Sequence, residues 1–381
     1  MNSVKRNNNK IRIFVIGVRG FPGVQGGVEK HSEEQYKRLA KNSDLEITVL
    51  AIDKYCNTLV SRWENIDFKY LKSINSKNFE KLYYGLKASI YSILKRPDIV
   101  HFQGLNAAIY IPLVKLFGIK TIFTQGSMDY LYPKWGKIAK FILKISEKAS
   151  LRADKIIAVS KIIYDHLRKY SDKVVLVYNG VNINHIVVSQ DEEKSILAKY
   201  GLRKQGYVFF VGRLTKEKAI EDLIKAFIQL DNNDFKLVIA GGSEYTEKYS
   251  SMIKNIAKDA SNILFTGFIT GSELQILFSN AKLFVLPSRH EGLSNALLEA
   301  ISYGIEILAS DIEANLQINL NKNNFFKMGD VEDLKSKMNC LLYAEITEKE
   351  KLRRMEMLKA NFDWDETSKK MYALYKEIIQ K

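Results

Sequence analysis

Short apolar runs alternate with amphipathic stretches along almost the whole chain, an order that builds parallel strands joined by crossover helices. Runs at 11–17, 45–51, 98–102, 120–124, 155–160 and 174–178 read as strands of one sheet, and those at 207–211, 235–240, 263–267, 283–286 and 305–309 as strands of a second. Helical spacing predicts helices at 28–39, 79–94, 132–152 and 274–278, and a last one at 365–379 that crosses back onto the first domain. Within 79–94, Leu82, Leu86, Ile90 and Ile93 are the expected buried face, with Tyr83, Tyr84, Lys87 and Tyr91 more exposed. Within 132–152, Phe141, Ile142, Ile145 and Ala149 are expected to turn inward. That leaves Lys140, Lys144, Lys148 and Arg152 as a four-spaced basic stripe. The stretch 53–80 reads as irregular.

The segment 283–311 carries the densest pattern. Pro287 ends an apolar run because proline cannot donate a ladder hydrogen bond. A polar loop follows, then a helix with Leu293, Ala296, Leu297, Ala300 and Ile301 on one face, closed by Gly304 before the next apolar run. In this strand, loop, helix, strand order Glu291 falls in the loop and Glu299 in the helix, so both carboxylates can face the carboxyl edge of the sheet. The helix opening at Gly292 to Asn295 offers free backbone N–H groups to an anion. Arg213 and Lys218 flank the turn after the strand at 207–211 and bring two cations to the same kind of edge. After the first strand, Gly20, Gly23, Gly26 and Gly27 permit tight turns, without the spacing of a dinucleotide-binding fingerprint.

At 381 residues the chain exceeds what one core supports, so two domains are the default; with the linker placed near 182–200, the expected bounds are 1–185 and 200–362, with a returning helix at 363–381. Cys56 and Cys340 have no metal-ligand spacing, so a disulfide framework is not expected and a reducing compartment is. The start, MNSVKRNNNK, lacks a signal-peptide apolar region, and no apolar stretch reaches the ~18 residues that span a bilayer. A cytoplasmic location is the expectation. The formal charge of +15 favours anionic partners, whether nucleic acid, nucleotide or an anionic membrane surface. Zinc-finger, KH and RRM patterns are all missing from the sequence, so nucleic acid is not an expected partner.

The run PSRHEGLSNALLEAISYG, with Glu291 and Glu299 eight residues apart, resembles the paired-glutamate signature of the retaining glycosyltransferases of family 4. Ile305 stands where that family usually has proline, and Ala219 where it usually has glycine. The resemblance implies an α/β chain of GT-B fold: two facing Rossmann-like domains, donor on the second, acceptor on the first, with an interdomain cleft between them. It implies Glu291 near the donor sugar, Glu299 on the ribose, and Arg213 and Lys218 on the diphosphate. Gly212, Gly241, Gly242, His290, Gly292, Leu293, Ser294 and Asn295 complete the expected donor site.

In the first domain, the loop from Arg19 to Glu29, with Gly20, Gly26 and Gly27, resembles that of a subgroup containing bacterial rhamnosyltransferases. Gln125 stands where the family has a histidine of the reaction centre, followed by Asp129. Glutamine cannot take up a proton as imidazole does, so His101, at the end of a neighbouring strand, becomes a second catalytic candidate. The implied activity is retaining transfer of rhamnose or another hexose from a dTDP- or UDP-sugar. The implied acceptor is an undecaprenyl-diphosphate-linked saccharide at the inner face of the cytoplasmic membrane. No metal or other cofactor is expected. A non-catalytic GT-B protein that binds anionic glycan or membrane is the alternative.

Overall fold

The computed structural model describes residues 10–380 except 25, 57–58, 77–78, 133–134, 184, 186, 233 and 243–246. The basic segment 1–9 and Ser243, expected to follow the strand at 235–240, lie outside the described residues. The chain divides into two α/β units, one of residues 1–131, 135–180 and 364–381, the other of 132–134 and 181–363.

The first unit has strands β1 (Ile11–Ile16), β2 (Leu45–Ile52), β3 (Arg62–Trp63), β4 (Ile66–Leu71), β5 (Ile99–Gln103), β6 (Lys120–Gln125), β7 (Lys155–Ala158) and β8 (Val174–Leu176). They form one sheet in the order β3-β4-β2-β1-β5-β6-β7-β8, parallel except for β3. Its helices are α1 (Gly27–Leu39), α2 (Glu80–Lys95), α3 (Leu105–Ala108), α4 (Ile111–Leu116), α5 (Lys137–Ser150) and α6 (Lys161–Arg168). Helices cover both sheet faces, which is why the central strands are continuous apolar runs. On one face Phe14, Val100, Phe102 and Phe123 meet α2 to α6; on the other Ile13, Val15 and Ile122 meet α1 and the terminal helix.

The second unit has α7 (Gln190–Lys199), β9 (Tyr207–Val211), α8 (Ile220–Gln229), β10 (Lys236–Ala240), α9 (Glu247–Ile256), β11 (Ile263–Gly267), α10 (Gly271–Ser279), β12 (Leu283–Leu286), α11 (Asn295–Ser302), β13 (Glu306–Ser310), α12 (Glu313–Leu316), β14 (Phe325–Phe326), α13 (Val331–Tyr343) and α14 (Glu348–Asn361). Its sheet is wholly parallel in the order β11-β10-β9-β12-β13-β14. The last helix, α15 (Trp364–Gln380), belongs to the first unit, where Met371, Tyr375 and Ile378 are buried. In both sheets the strand order reverses at the first strand: β1 lies between β2 and β5, and β9 between β10 and β12. Ligands of open α/β sheets settle in the crevice at the carboxyl ends of the strands at such a reversal.

Three expectations need correction. The irregular stretch contains β4, whose polar Asp67 and Lys69 alternate with buried Ile66 and Phe68 because it lies near a sheet edge. Helix α2 buries Tyr84, Gly85, Ala88, Ser89 and Ser92, while Leu86 and Ile90 are exposed. Its small residues let it pack closely: a Cβ on Gly85 would fall 2.8 Å from the Tyr110 ring, and Ser89 and Ser92 bond to carbonyls within the helix. Tyr84 donates its hydroxyl hydrogen to the Leu50 carbonyl. Helix α5 likewise buries Leu143, Ser146 and Ser150 and leaves Phe141 and Ile145 in solvent.

Candidate functional site

At the strand reversal of the second unit, the loops leaving β9 and β12 come together. Gly212 and Gly241 follow β9 and β10 and lie against each other: a Cβ on Gly241, whose φ is +147°, would sit 1.8 Å from the Gly212 carbonyl oxygen. Glycine at 241 therefore keeps the two strand ends close. The Leu214 amide donates to the Gly242 carbonyl at 3.1 Å. The β9 loop then makes a 3₁₀ turn at Lys216–Lys218 and enters α8 through Ala219, whose φ of +48° is the left-handed geometry that favours glycine.

That turn delivers Lys218 to Glu291, where Nζ donates to Oε1 at 2.5 Å and both side chains are largely buried. The Ser288 hydroxyl donates to the same oxygen at 2.6 Å. A chain of buried groups stands behind it: Ser310 Oγ donates to the Ser288 carbonyl at 2.5 Å, and Asn315 Nδ2 donates to the Ser310 carbonyl at 2.9 Å. Neighbouring Arg289 is tied back onto α8 by Asp222 Oδ2 at 2.7 Å, which strengthens its hold on its proton, and its amide donates to the Glu217 carbonyl. Arg213 is exposed, and its guanidinium makes no hydrogen bond or ion pair among the described residues.

Ser294 caps α11 by accepting from the Leu297 amide, leaving the N–H groups of the first turn directed toward the loop. Gly292 and His290 are half-buried in that loop, Leu293 is buried beneath it, and half-buried Asn295 opens α11. His290 Nδ1 is buried without a partner. Glu299 lies one turn further along α11, half-buried, and its charge adds to the burial that pushes the Tyr303 hydroxyl up. Ser288 falls within the run PSRHEGLSNALLEAISYG and Asn315 where the family segment continues, without a role assigned to either; Ser310 was not singled out, and its small polar side chain at the end of an apolar run was the available signal.

In the first unit, Arg19 Nε donates to Glu29 Oε1 at 2.9 Å, and both side chains are mostly buried. A Cβ on Gly26 would fall 2.0 Å from Glu29 Oε2, and one on Gly20 2.5 Å from Cys56 Sγ, so these glycines make room for the pair and for the loop. Gly27 is the first residue of α1. Asp129 accepts from Ser127 Oγ at 2.5 Å in the loop after β6.

Two catalytic candidates, His101 and Gln125, lie in the interior of the first unit. His101 is fully buried; Nε2 is 2.8 Å from Thr124 Oγ1, and Nδ1 is 2.9 and 2.7 Å from the hydroxyls of Tyr36 and Tyr375. Burial pushes its imidazole down to about 3, so it is a neutral group of the core. Gln125 is also fully buried, and its Nε2 donates to Glu147 Oε2 at 2.9 Å. Glu147 also meets His166 Nε2 at 2.9 Å, so Gln125 belongs to an internal polar network. Glu147, the one acidic residue of α5, and His166 were not singled out by the motifs.

The model of the family described as Glycosyltransferase Family 4 matches residues 25–185, and that described as Glycosyl transferases group 1 matches residues 191–357. The chain is a glycosyltransferase of GT-B fold. This glycosyltransferase is 23% identical over 417 residues to an uncharacterized glycosyltransferase of Methanocaldococcus jannaschii, covering 97% of this chain and 99% of that one. It is 28% identical over 228 residues to the serotype-specific mannosyltransferase WbdA of Escherichia coli, covering 57% of this chain and 28% of that one. Among solved structures it is similar to Thermosynechococcus elongatus sucrose-phosphate synthase, with TM-score 0.83, 19% identity, and 97% and 100% of the two chains covered. The glycosyltransferase's described residues contain no group of three or more His, Cys, Asp or Glu able to hold a metal ion, and no helix long and apolar enough to cross a membrane.

Proposed function

We propose that this glycosyltransferase moves rhamnose or another hexose, with retention at the anomeric carbon, from a dTDP- or UDP-sugar to a saccharide carried on undecaprenyl diphosphate. Its place is bacterial surface polysaccharide synthesis at the inner face of the cytoplasmic membrane. The observation that carries this reading is the Lys218–Glu291 pair at the reversal of the second sheet, beside the opening of α11. In the reaction the bond from the anomeric carbon to the diphosphate breaks, a bond to the acceptor hydroxyl forms, and the hydroxyl proton leaves with the diphosphate. Lys218, Arg213 and the first N–H groups of α11 stabilise the charge that grows on the leaving diphosphate. Glu291 lies against the sugar, held by Ser288, and Glu299 accepts from the ribose hydroxyls. The polysaccharide role draws on a 26% identity over 145 residues to the O-antigen chain mannosyltransferase B of Escherichia coli, and rhamnose on the likeness of the loop from Arg19 to Glu29.

The test is a panel of dTDP- and UDP-sugars with polyprenyl-diphosphate-linked acceptors, run with and without chelator, with the product anomer read by NMR. Retained configuration and chelator-resistant turnover are expected. An inverted product overturns the stereochemistry, and loss of activity on chelation overturns metal independence.

A further inference from the structure

Helices α2, α4 and α5 cover the same face of the first unit's sheet, and α4 packs against both of the others. Their sheet-facing sides are filled, yet their outward sides are apolar as well. From the cap of α2 onward, Phe79, Tyr83, Leu86, Ile90 and Leu94 follow at helical spacing, and all five are exposed, Phe79 at 62% and Leu94 at 76%. Leu116 at the end of α4 is 83% exposed, with exposed Phe117 beside it. On α5, Ile138 is 77% and Phe141 66% exposed, and Ile145 continues the row. Isolated exposed apolar residues need no explanation, but rows of them on α2 and α5, with Leu116 and Phe117 at the end of the α4 that packs against both, do.

Charge identifies what covers them. The one acidic residue of α2, Glu80, is buried and held by Tyr55 and Lys54; that of α5, Glu147, is turned inward onto Gln125 and His166; α4 has none. Exposed Lys81, Lys95, Arg96, Lys137, Lys144 and Lys148 flank the apolar rows. The face is therefore apolar at its centre, basic around it, and presents no acidic side chain from these helices. A second copy of this chain seated symmetrically would bring lysine against lysine. An anionic bilayer satisfies both features, because its headgroups carry the opposite charge and its acyl boundary receives apolar side chains.

We propose that the outward face of α2, α4 and α5 docks on an anionic lipid bilayer by inserting its apolar side chains into the headgroup region while the flanking cations pair with the headgroups. This deepens the proposed function, on which it rests for its purpose, by naming the surface through which the enzyme reaches a lipid-borne acceptor. It also replaces a purely electrostatic stripe with insertion, which salt weakens without abolishing.

The test is co-sedimentation of the full chain with vesicles of equal parts phosphatidylglycerol and phosphatidylcholine, and with phosphatidylcholine alone, at low and high salt. The wild type is expected to prefer the anionic vesicles and to keep part of its binding in high salt. The double variant Ile138→Ser, Phe141→Ser is expected to bind about tenfold or more weakly at both salts, with an unchanged circular-dichroism spectrum and urea melt showing that the first unit stays folded. Lys144→Glu with Lys148→Glu should remove the preference for anionic vesicles. In Ile138→Trp, the introduced indole should be quenched by brominated lipid. Undiminished binding by the serine variant, complete release by salt, absence of quenching, or a wild-type dimer that the serine variant dissociates would each overturn the proposal. If vesicle binding holds while only water-soluble acceptors are glycosylated, the proposed acceptor falls and the docking face stands.

Discussion

Replacing Lys218 with alanine tests the donor site most directly. Its ammonium is bonded to Glu291 in a setting where both side chains are no more than 14% exposed, so solvent screens the charges little. A nucleotide diphosphate that gains a hydrogen bond from this ammonium should bind more tightly by about 1.5–3 kcal/mol, the range for bonds to charged groups. At about 1.4 kcal/mol per tenfold, Lys218→Ala should weaken binding of UDP or dTDP by roughly 10- to 100-fold. Glu291→Gln should act the other way on binding and severely on turnover. Removing that carboxylate leaves Lys218 without its internal counter-charge and removes a repulsion on the diphosphate, so nucleotide affinity should hold or rise. Isothermal calorimetry with the free nucleotide diphosphate separates the two, and steady-state kinetics gives kcat for Glu291→Gln. Unaltered affinity in Lys218→Ala, or equal weakening in both variants, would refute the assignment of roles.

Ser288→Ala removes one donor from Glu291 and should lower kcat about tenfold while leaving nucleotide affinity unchanged; a matching loss of affinity would show a merely structural role. Gly241→Ala drives a methyl group into the Gly212 carbonyl and should lower stability by about 2 kcal/mol or more in a denaturant melt; an unchanged melt would contradict the close approach. His101 is held neutral down to about 3 when folded and titrates near 6.5 when free. Between those values the unfolded chain binds more protons, so stability is complete above pH 6.5 and falls as pH drops; at pH 5 the loss is about 2 kcal/mol. Urea melts of the wild type and His101→Gln at neutral pH and at pH 5 should show the slope flattened in the variant.

The central strands were legible because a parallel strand covered on both faces is an unbroken apolar run, and β12 begins and ends where its run does. β4 was not, since its place near the sheet edge lets charged residues alternate through it. α2 and α5 misled for another reason: they are apolar on two faces, and size alone selects the larger side chains as core. Close packing instead placed Gly85, Ala88 and Ser146 inside beside Tyr84 and Leu143, and left Leu86, Ile90, Phe141 and Ile145 outside. Lys218 and Glu291 were each visible within a local motif. Their contact was not, because it depends on β12 returning to lie beside β9 rather than beyond β11. The isolation of His101 depends on a still more distant partner, Tyr375, which arrives on α15.

That last helix constrains synthesis on the ribosome. The first unit is completed by α15, whose Tyr375 closes over His101 and whose Tyr372 and Lys376 bond to Asp44, yet these residues are translated after the whole of the second unit. While the second unit is being made, the emerging first unit exposes the apolar floor where Met371 and Ile378 belong, and one of the two tyrosine hydroxyls that partner His101 does not yet exist. The first unit of this enzyme therefore spends the longest time incomplete, and a chain released before residue 364 has a finished sheet with one face left partly uncovered.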